Sequence, residues 1–557
     1  MSKPDSSSKQ PTAPPPRWRR ILSGWWAPAS LLFIAIALLA FVWLDPEREN
    51  RQEQHIGTMI FAGIALTATF IWFILLSAFA WRTRRTVLQW AIVLLLVLPA
   101  CFQIEGVDGD LLPIVRWRWA VKPDRTIEPM RVTKQATPVA TPTKDDAGKK
   151  DDAKSMAAPA TPATAPTNLP ASQDFSQFLG SQRDGIIRGI KLQRDFAAHP
   201  PRLLWRQPIG AAWSAFSVQG QRAITQEQRS ENELVVCYDL FTGQPLWSHA
   251  DIARYETTIA GIGPRASPTI HENAVYTLGA TGILNCLDLA TGDLRWTVNT
   301  LTDTDAPLLD WGMAGSPLVE GELIIINTGG KQATLAAYDR VTGKRRWVSG
   351  SEATSYASPT ILTLLGARQV VMQNQFTITG HAIDDGRVLW SHPAPGAHPK
   401  VAQPIALADN SLFISSGYGT GSDLFELKRE TAGTITTKSL WKNVNLKAKF
   451  ANVVQREGHL YGLNDGTLVC LDAATGQRIW RGERYGHGQI LLVNDALLIQ
   501  AENGEVVLVQ ATPDEFKELS KFTAFSEKTW NSPALAGRYL LVRNDREAAC
   551  FEMAVNE

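Results

Sequence analysis

The sequence predicts an all-β propeller of eight four-stranded antiparallel blades, with seven as the alternative, preceded by three transmembrane α-helices and a disordered linker. Two observations predict the ring. A pattern Asp-x-x-Thr-Gly-x-x-x-Trp recurs through the last two thirds of the chain, and it recurs about every 45 residues, the size of one blade. A third observation predicts the anchor: three uncharged apolar stretches stand ahead of the repeats.

Residues 1–20 form a basic tail carrying Lys3, Lys9, Arg17, Arg19 and Arg20. The apolar stretches follow at about 21–44, 56–81 and 86–104, each long enough to cross some 30 Å of hydrocarbon as a helix. A cleaved signal peptide does not fit, because the first stretch is too long and two more follow. Arg82-Thr-Arg-Arg85 reads as the turn between the second and third spans, and the loop between the first two carries mixed charge. The positive-inside rule then puts the N-terminus in the cytoplasm and everything from residue 105 outside, anchored by Arg116-Trp-Arg-Trp119. This expectation is a multi-pass inner-membrane protein with a periplasmic propeller. No ionisable residue lies inside a span, so nothing points to a pump. Residues 120–173 are rich in Ala, Pro, Thr, Lys and Asp, centred on Lys144–Asp152, and such a segment cannot bury a core.

From residue 174 to 557 the pattern is β. Asp239, Asp288, Asp339 and Asp472 each open a copy; Gly243, Gly292, Gly343 and Gly476 follow, and Trp247, Trp296, Trp347 and Trp480 close them. A worn copy ends at Trp390. Period-two apolar runs such as Leu234–Tyr238 precede each Asp and read as strands. Asp and Thr bond nearby amides, and Gly supplies the positive φ of a tight turn. Seven Trp-to-Trp units follow Trp205. Pairing Tyr539–Arg543 and Ala548–Glu552 with Leu203–Trp205 closes an eighth and leaves no open edge.

Strand, Asp-x-x-Thr-Gly, strand, Trp resembles the repeat of the pyrroloquinoline-quinone (PQQ) enzyme-like propellers. Phe178-Leu-Gly-Ser-Gln-Arg-Asp-Gly185 is similar to an opening segment of bacterial members, as is Ile414-Ser-Ser-Gly-Tyr-Gly-Thr-Gly421. The superfamily includes dehydrogenases, sensors and non-enzymatic scaffolds of outer-membrane assembly, so the resemblance implies the fold more sharply than an activity. For an enzyme it implies PQQ in the central funnel, Ca²⁺ held by Glu, Asn and Asp, and often an adjacent-cysteine disulfide. The chain has no Cys-Cys pair and no Cys-x-x-Cys-His. Cys237, Cys286, Cys470 and Cys550 occupy one strand position in four different blades, too far apart for disulfides or a shared zinc, so no disulfide is expected.

Twenty per cent charged residues and a net charge of +1 exclude a basic nucleic-acid surface. Asp303, Asp305 and Asp310 are the carboxylates that could be offered to Ca²⁺, but a solvated loop is the favoured reading of them and no metal site is expected. Ser-Pro steps at 267, 316, 358 and 532, with Gln403-Pro404 as a variant, mark where inner strands start. Residues at or just before these steps should ring the channel mouth: Trp213, Arg265, Trp311, Tyr356, Lys400, Gln403, Lys449, His487 and Trp530. Cations and aromatics converging on one axis suit an anionic, planar or peptide ligand. His487, between two glycines, reads as the most exposed of them and is the one candidate general base. The favoured reading is a membrane-tethered binding or scaffold module for envelope protein or peptide partners. The alternative is a PQQ-dependent dehydrogenase of alcohols or sugars.

Overall fold

A computed structural model describes residues 26–44, 51–127, 169–408 and 410–556. The expected tail, the start of the first span and most of the expected linker lie outside these residues. The chain divides into two units, Met1–Ala120 and Val121–Glu557.

The first unit holds helices α1 (Trp26–Leu44), α2 (Arg51–Leu75) and α3 (Trp81–Cys101) and a hairpin of β1 (Phe102–Val107) with β2 (Pro113–Trp117). Among the described residues α2 and α3 are long and apolar enough to cross a membrane, whereas α1 contributes a shorter apolar stretch, Pro28–Leu44. Two boundaries differ from the sequence reading. Arg82, Arg84 and Arg85 are not a turn but begin α3, because Arg84 folds back onto the end of α2. Its Nη1 donates to the Ile74 carbonyl at 3.1 Å and its Nε to that of Phe79 at 2.9 Å, satisfying carbonyls around the end of α2 and the turn after it. The expected third span runs to Ile104, yet α3 stops at Cys101 and Phe102–Ile104 is strand. Pro99 lies in the last turn of α3. The Asp108 side chain accepts from the amides of Asp110 and Leu112, which folds the turn returning the chain to Arg116–Trp117.

In the second unit eight antiparallel sheets form the propeller. Numbering blades in chain order from blade 1 (Ser217–Ile252), their inner strands begin at Ser217, Thr269, Leu318, Thr360, Ile405, Val454, Gln489 and Ala534. Blade 8 takes its outermost strand, Arg202–Pro208, from the start of the unit and its inner three from the end. Eight is therefore the blade number.

The repeat residues hold neighbouring blades together. Asp239 Oδ1 accepts from the amides of Phe241 and Thr242 and from the Thr242 hydroxyl, which shapes the turn. Gly243 then lies at φ +72° with the Trp205 ring of the neighbouring blade so close that a Cβ would sit 2.7 Å from it. Trp205 Nε1 donates to the Leu240 carbonyl inside the same turn, at 2.8 Å. The arrangement repeats with Trp247 on the turn of Asp288 and Gly292, Trp296 on that of Asp339 and Gly343, and Trp441 on that of Asp472 and Gly476. Trp347 seats on the worn turn at Gly386 and Trp480 donates to Thr512 O. Trp390 has no such turn to receive it, and its Nε1 bonds Gln369 Oε1 of its own blade instead.

All four propeller cysteines are buried and free, and each is the direct cross-strand partner of a repeat tryptophan: Cys237 of Trp247, Cys286 of Trp296, Cys470 of Trp480, Cys550 of Trp205. Burial pushes the Cys286 and Cys470 thiols up to about 11 and about 12. They are inert core atoms at neutral pH.

The opening segment closes one end of the channel. Phe175 pairs with Val218 in blade 1, Ser176 O accepts from Ile270 N in blade 2, and Ile186–Ile187 adds a parallel strand to blade 7. The segment thus crosses from one side of the ring to the other. At its middle Arg183, in a left-handed conformation (φ +57°), donates to the carbonyls of Ser316, Pro317 and Pro359 at 3.0–3.2 Å. The span read as linker also contributes structure. Pro123–Arg125 is a 3-10 turn whose buried Asp124 carboxylate accepts from Arg254 Nη1 at 2.6 Å.

Candidate functional site at the channel mouth

The other end of the channel is built by the residues that precede each inner strand, at the same place in successive blades. Below the mouth lies a belt of side-chain bonds from blade to blade. Ser267 N donates to Ser316 Oγ and Ser316 N to Ser358 Oγ, both at 2.9 Å. Gln403 continues the belt, its amide donating to Ser358 O at 2.7 Å and accepting from Ser358 N at 2.9 Å, while its own N–H donates to Asn452 Oδ1 at 2.8 Å. Gln489 Nε2 donates to the carbonyls of Phe450 and Trp530, and Asn531 Nδ2 to those of Ala212 and Ser214. Gln403 is therefore part of the buried belt and not of the open mouth.

Above the belt the aromatics converge. Trp213 and Trp530 lie 5.1 Å apart between ring centroids, and Trp311 and Tyr356 5.2 Å. Phe450 joins the two pairs across the mouth. Its ring is 5.7 Å from Trp311, 5.4 Å from Trp530, 5.3 Å from His487 and 6.4 Å from Tyr418. His398 stacks on Tyr418 at 4.8 Å. Cations lie over these rings: Lys528 is 4.1 Å from the Trp530 centroid and 4.9 Å from that of Trp213, and Lys449 is 4.7 Å from Tyr418. Arg265 sits 4.5 Å over Tyr255 and is tied to its own loop through the carbonyls of Ala260 and Gly261. Burial lowers its guanidinium to about 10, still charged at neutral pH.

The residues predicted from the sequence separate into two groups. Trp213, Arg265, Trp311, Tyr356 and Trp530 line the cup half-buried, whereas Lys400, Gln403, Lys449 and His487 are buried. His487 is 3 % exposed, so it is not the accessible base its flanking glycines suggested. Its backbone N–H donates to Glu502 Oε2, and Trp530 Nε1 donates to Glu502 Oε1 at 2.7 Å. Glu502 thus fixes both residues in place. Phe450, Tyr418, His398, Tyr255, Lys528 and Glu502 were missed. Tyr418 carried a signal, since it lies in Ile414–Gly421, and Phe450 follows Lys449 directly; the others sit in loops without a repeat pattern.

Of the three carboxylates offered to Ca²⁺, that of Asp303 is engaged by protein groups. Asp303 accepts from the Tyr338 hydroxyl at 2.9 Å and pairs with Arg345, Asp305 caps the short helix α4 (Thr300–Thr304), and Asp310 enters only through its backbone carbonyl, bonded by Tyr255. Among the described residues no group of three or more His, Cys, Asp or Glu is placed to hold a metal ion. Phe450 lies across the mouth, in ring contact with both Trp311 and Trp530.

A family model described as outer membrane protein assembly factor BamB matches residues 198–307 and 231–482, which together cover 285 of the 557 residues. A curated relative, the quinohemoprotein alcohol dehydrogenase ADH IIB of Pseudomonas putida, is 31 % identical over 141 residues. That match spans 22 % of this chain and only 19 % of the relative's length. Among solved structures, the quinohemoprotein alcohol dehydrogenase of Comamonas testosteroni aligns with a TM-score of 0.51 at 14 % identity, over 69 % of this chain and 81 % of its own. BamB of Moraxella catarrhalis aligns with a TM-score of 0.45 at 16 % identity, over 63 % of this chain and 97 % of its own.

Proposed function

This chain belongs to the PQQ-like propeller family described as outer membrane protein assembly factor BamB, and from that premise we propose that it is a membrane-tethered binding module. The propeller works on the extracytoplasmic side and takes a protein or peptide segment at its channel mouth. One observation carries this reading: a cup of half-buried Trp, Tyr and Phe with lysines over the rings, at the end of the channel that the opening segment leaves free. Such a surface offers large rigid contact area and cation–π partners, the composition of a protein-binding hot spot. An aromatic or carboxylate-bearing side chain of the partner fits it best. The anchor is read from α1–α3, whose apolar side chains such as Leu66, Ile92 and Leu95 are exposed and ask for hydrocarbon. With three crossings the basic tail stays in the cytoplasm, at the inner membrane, and the propeller stands in the periplasm.

Placing a benzophenone amino acid at Trp311 in the full-length chain, in its native membrane, should trap a discrete protein adduct under ultraviolet light. Lys528→Glu, at the half-buried lysine over Trp530 and Trp213, should cut that adduct at least fivefold. A pattern identical to that of the same probe at Leu440, exposed on the outer strand of blade 5, overturns the reading. A second reading, a PQQ-dependent oxidoreductase, rests on the match to the quinohemoprotein alcohol dehydrogenase. It requires a thermal shift with saturating PQQ and Ca²⁺, together with alcohol-dependent dye reduction.

A further inference from the structure

Between blades 4 and 5 lies a cavity of about 80 Å³. Ala394, Pro395 and Ile414 give its lining an apolar part. Gln373, Ser416 and Asp423 line it too, and are 1 %, 3 % and 7 % exposed. Gln373 Oε1, Ser416 Oγ and Asp423 Oδ1 are all buried without a hydrogen-bond partner. Three unpartnered oxygens on residues that line one cavity are costly unless something donates to them.

Charge selects the donor. The other oxygen of Asp423 is already engaged by His392 Nε2 at 2.9 Å, Lys442 Nζ at 3.0 Å and Ser439 Oγ at 3.2 Å. Lys400 also lines the cavity, its ammonium held 2.8 Å from the Gly396 carbonyl. A cation would meet two ammonium groups, and an anion would face the Asp423 and Gln373 oxygens. A neutral hydroxyl satisfies both constraints, donating to those oxygens and accepting from Ser416 or Lys442. The apolar side chains of the lining would cover the C–H face of a carbon skeleton. We infer that this cavity binds vicinal hydroxyls of a neutral polyol or of one edge of a saccharide ring.

The cavity also has room for several waters, so the test must separate a ligand from water alone. Saturation-transfer NMR on the full chain in a non-glycosidic detergent should detect glycerol and glucose at millimolar concentration. It should not detect 1,2-dimethoxyethane, which has a similar skeleton and no donor. A maltotriose arm distinguishes free polyol from saccharide chain: tighter binding than glucose assigns the chain, and weaker binding assigns the free polyol. Ser416→Ala and Gln373→Leu should each reduce transfer at least fivefold with an unchanged melting temperature. Absence of transfer from wild-type protein at 50 mM, equal transfer from dimethoxyethane, or undiminished transfer in a folded Ser416→Ala chain overturns the assignment.

Discussion

Glu233 shows what burial does to a single carboxyl in this ring. It is the second residue of the third strand of blade 1, with Oε1 accepting from Ala280 N at 3.1 Å and Oε2 buried without a partner. Burial pushes the group up to about 7; Ala280 N–H and Arg265 pull it down, and Asp251 across the strand pair pushes it up again. A carboxyl with a raised native pKa keeps its proton while the unfolded chain releases it. Stability from this group is therefore complete below the ordinary value of 4.5 and is lost as pH rises through 7. The gap corresponds to roughly 3 kcal/mol at about 1.4 kcal/mol per pH unit. Glu233→Gln should remove that loss, making the variant the more stable chain at pH 8 and equal to wild type near pH 4. Tryptophan-fluorescence melts across that range check it, and parallel pH profiles of the two chains would refute it.

At the scale of the element, the turn and the tryptophan it receives are one device. Gly292 lies at φ +74°, and a Cβ there would fall 2.5 Å from the Trp247 ring. Gly433, at φ +85° in the third hairpin turn of blade 5, has nothing within 4 Å of that position. Both substitutions to Ala carry the left-handed backbone cost of about 1 kcal/mol, but only Gly292→Ala must also push a neighbouring blade away. Gly292→Ala should thus cost about 2 kcal/mol more than Gly433→Ala in denaturant melts; equal costs would show that the seated tryptophan is not a constraint. This device was legible because it repeats: Asp, Gly and Trp at a fixed spacing have the same physical task each time. The cysteine layer was legible for the same reason, Cys237 and Cys550 standing at equivalent positions opposite Trp247 and Trp205. The ends of the apolar helices were less so. Hydropathy gives a helix its length and leaves its register open, and it was the Arg84 side chain that decided where α2 gave way to α3.

The whole molecule depends on contacts that no local pattern announces. Phe450 meets Trp311 and Trp530 only after the ring has closed, and Arg183 reaches Pro317 and Pro359 from more than a hundred residues away. The mouth was therefore readable as a circle of positions and unreadable as a filled cup. Closure itself rests on blade 8. The Glu547–Glu552 strand pairs with Tyr539–Arg543 on one side and with Arg202–Pro208 on the other, and Arg543 crosses to blade 1, donating to Thr225 Oγ1, Gln226 O and Gly210 O at 2.8–2.9 Å. A chain ending at Arg546 keeps Arg543 but loses the strand that joins the two chain ends. Two edges then lie open, at Tyr539–Arg543 and at Arg202–Pro208, and open edges pair with other molecules. That chain should aggregate and lose the single cooperative melt. A chain ending at Met553 keeps the whole strand and should melt close to wild type, apart from the cost of losing the Leu192–Val555 bridge and the backbone bonds of Ala554 and Asn556 to Gln193 and Lys191. Size-exclusion chromatography and fluorescence melts of the two truncations decide it. A monomeric, cooperatively melting chain that ends at Arg546 would mean the ring does not depend on its closing strand.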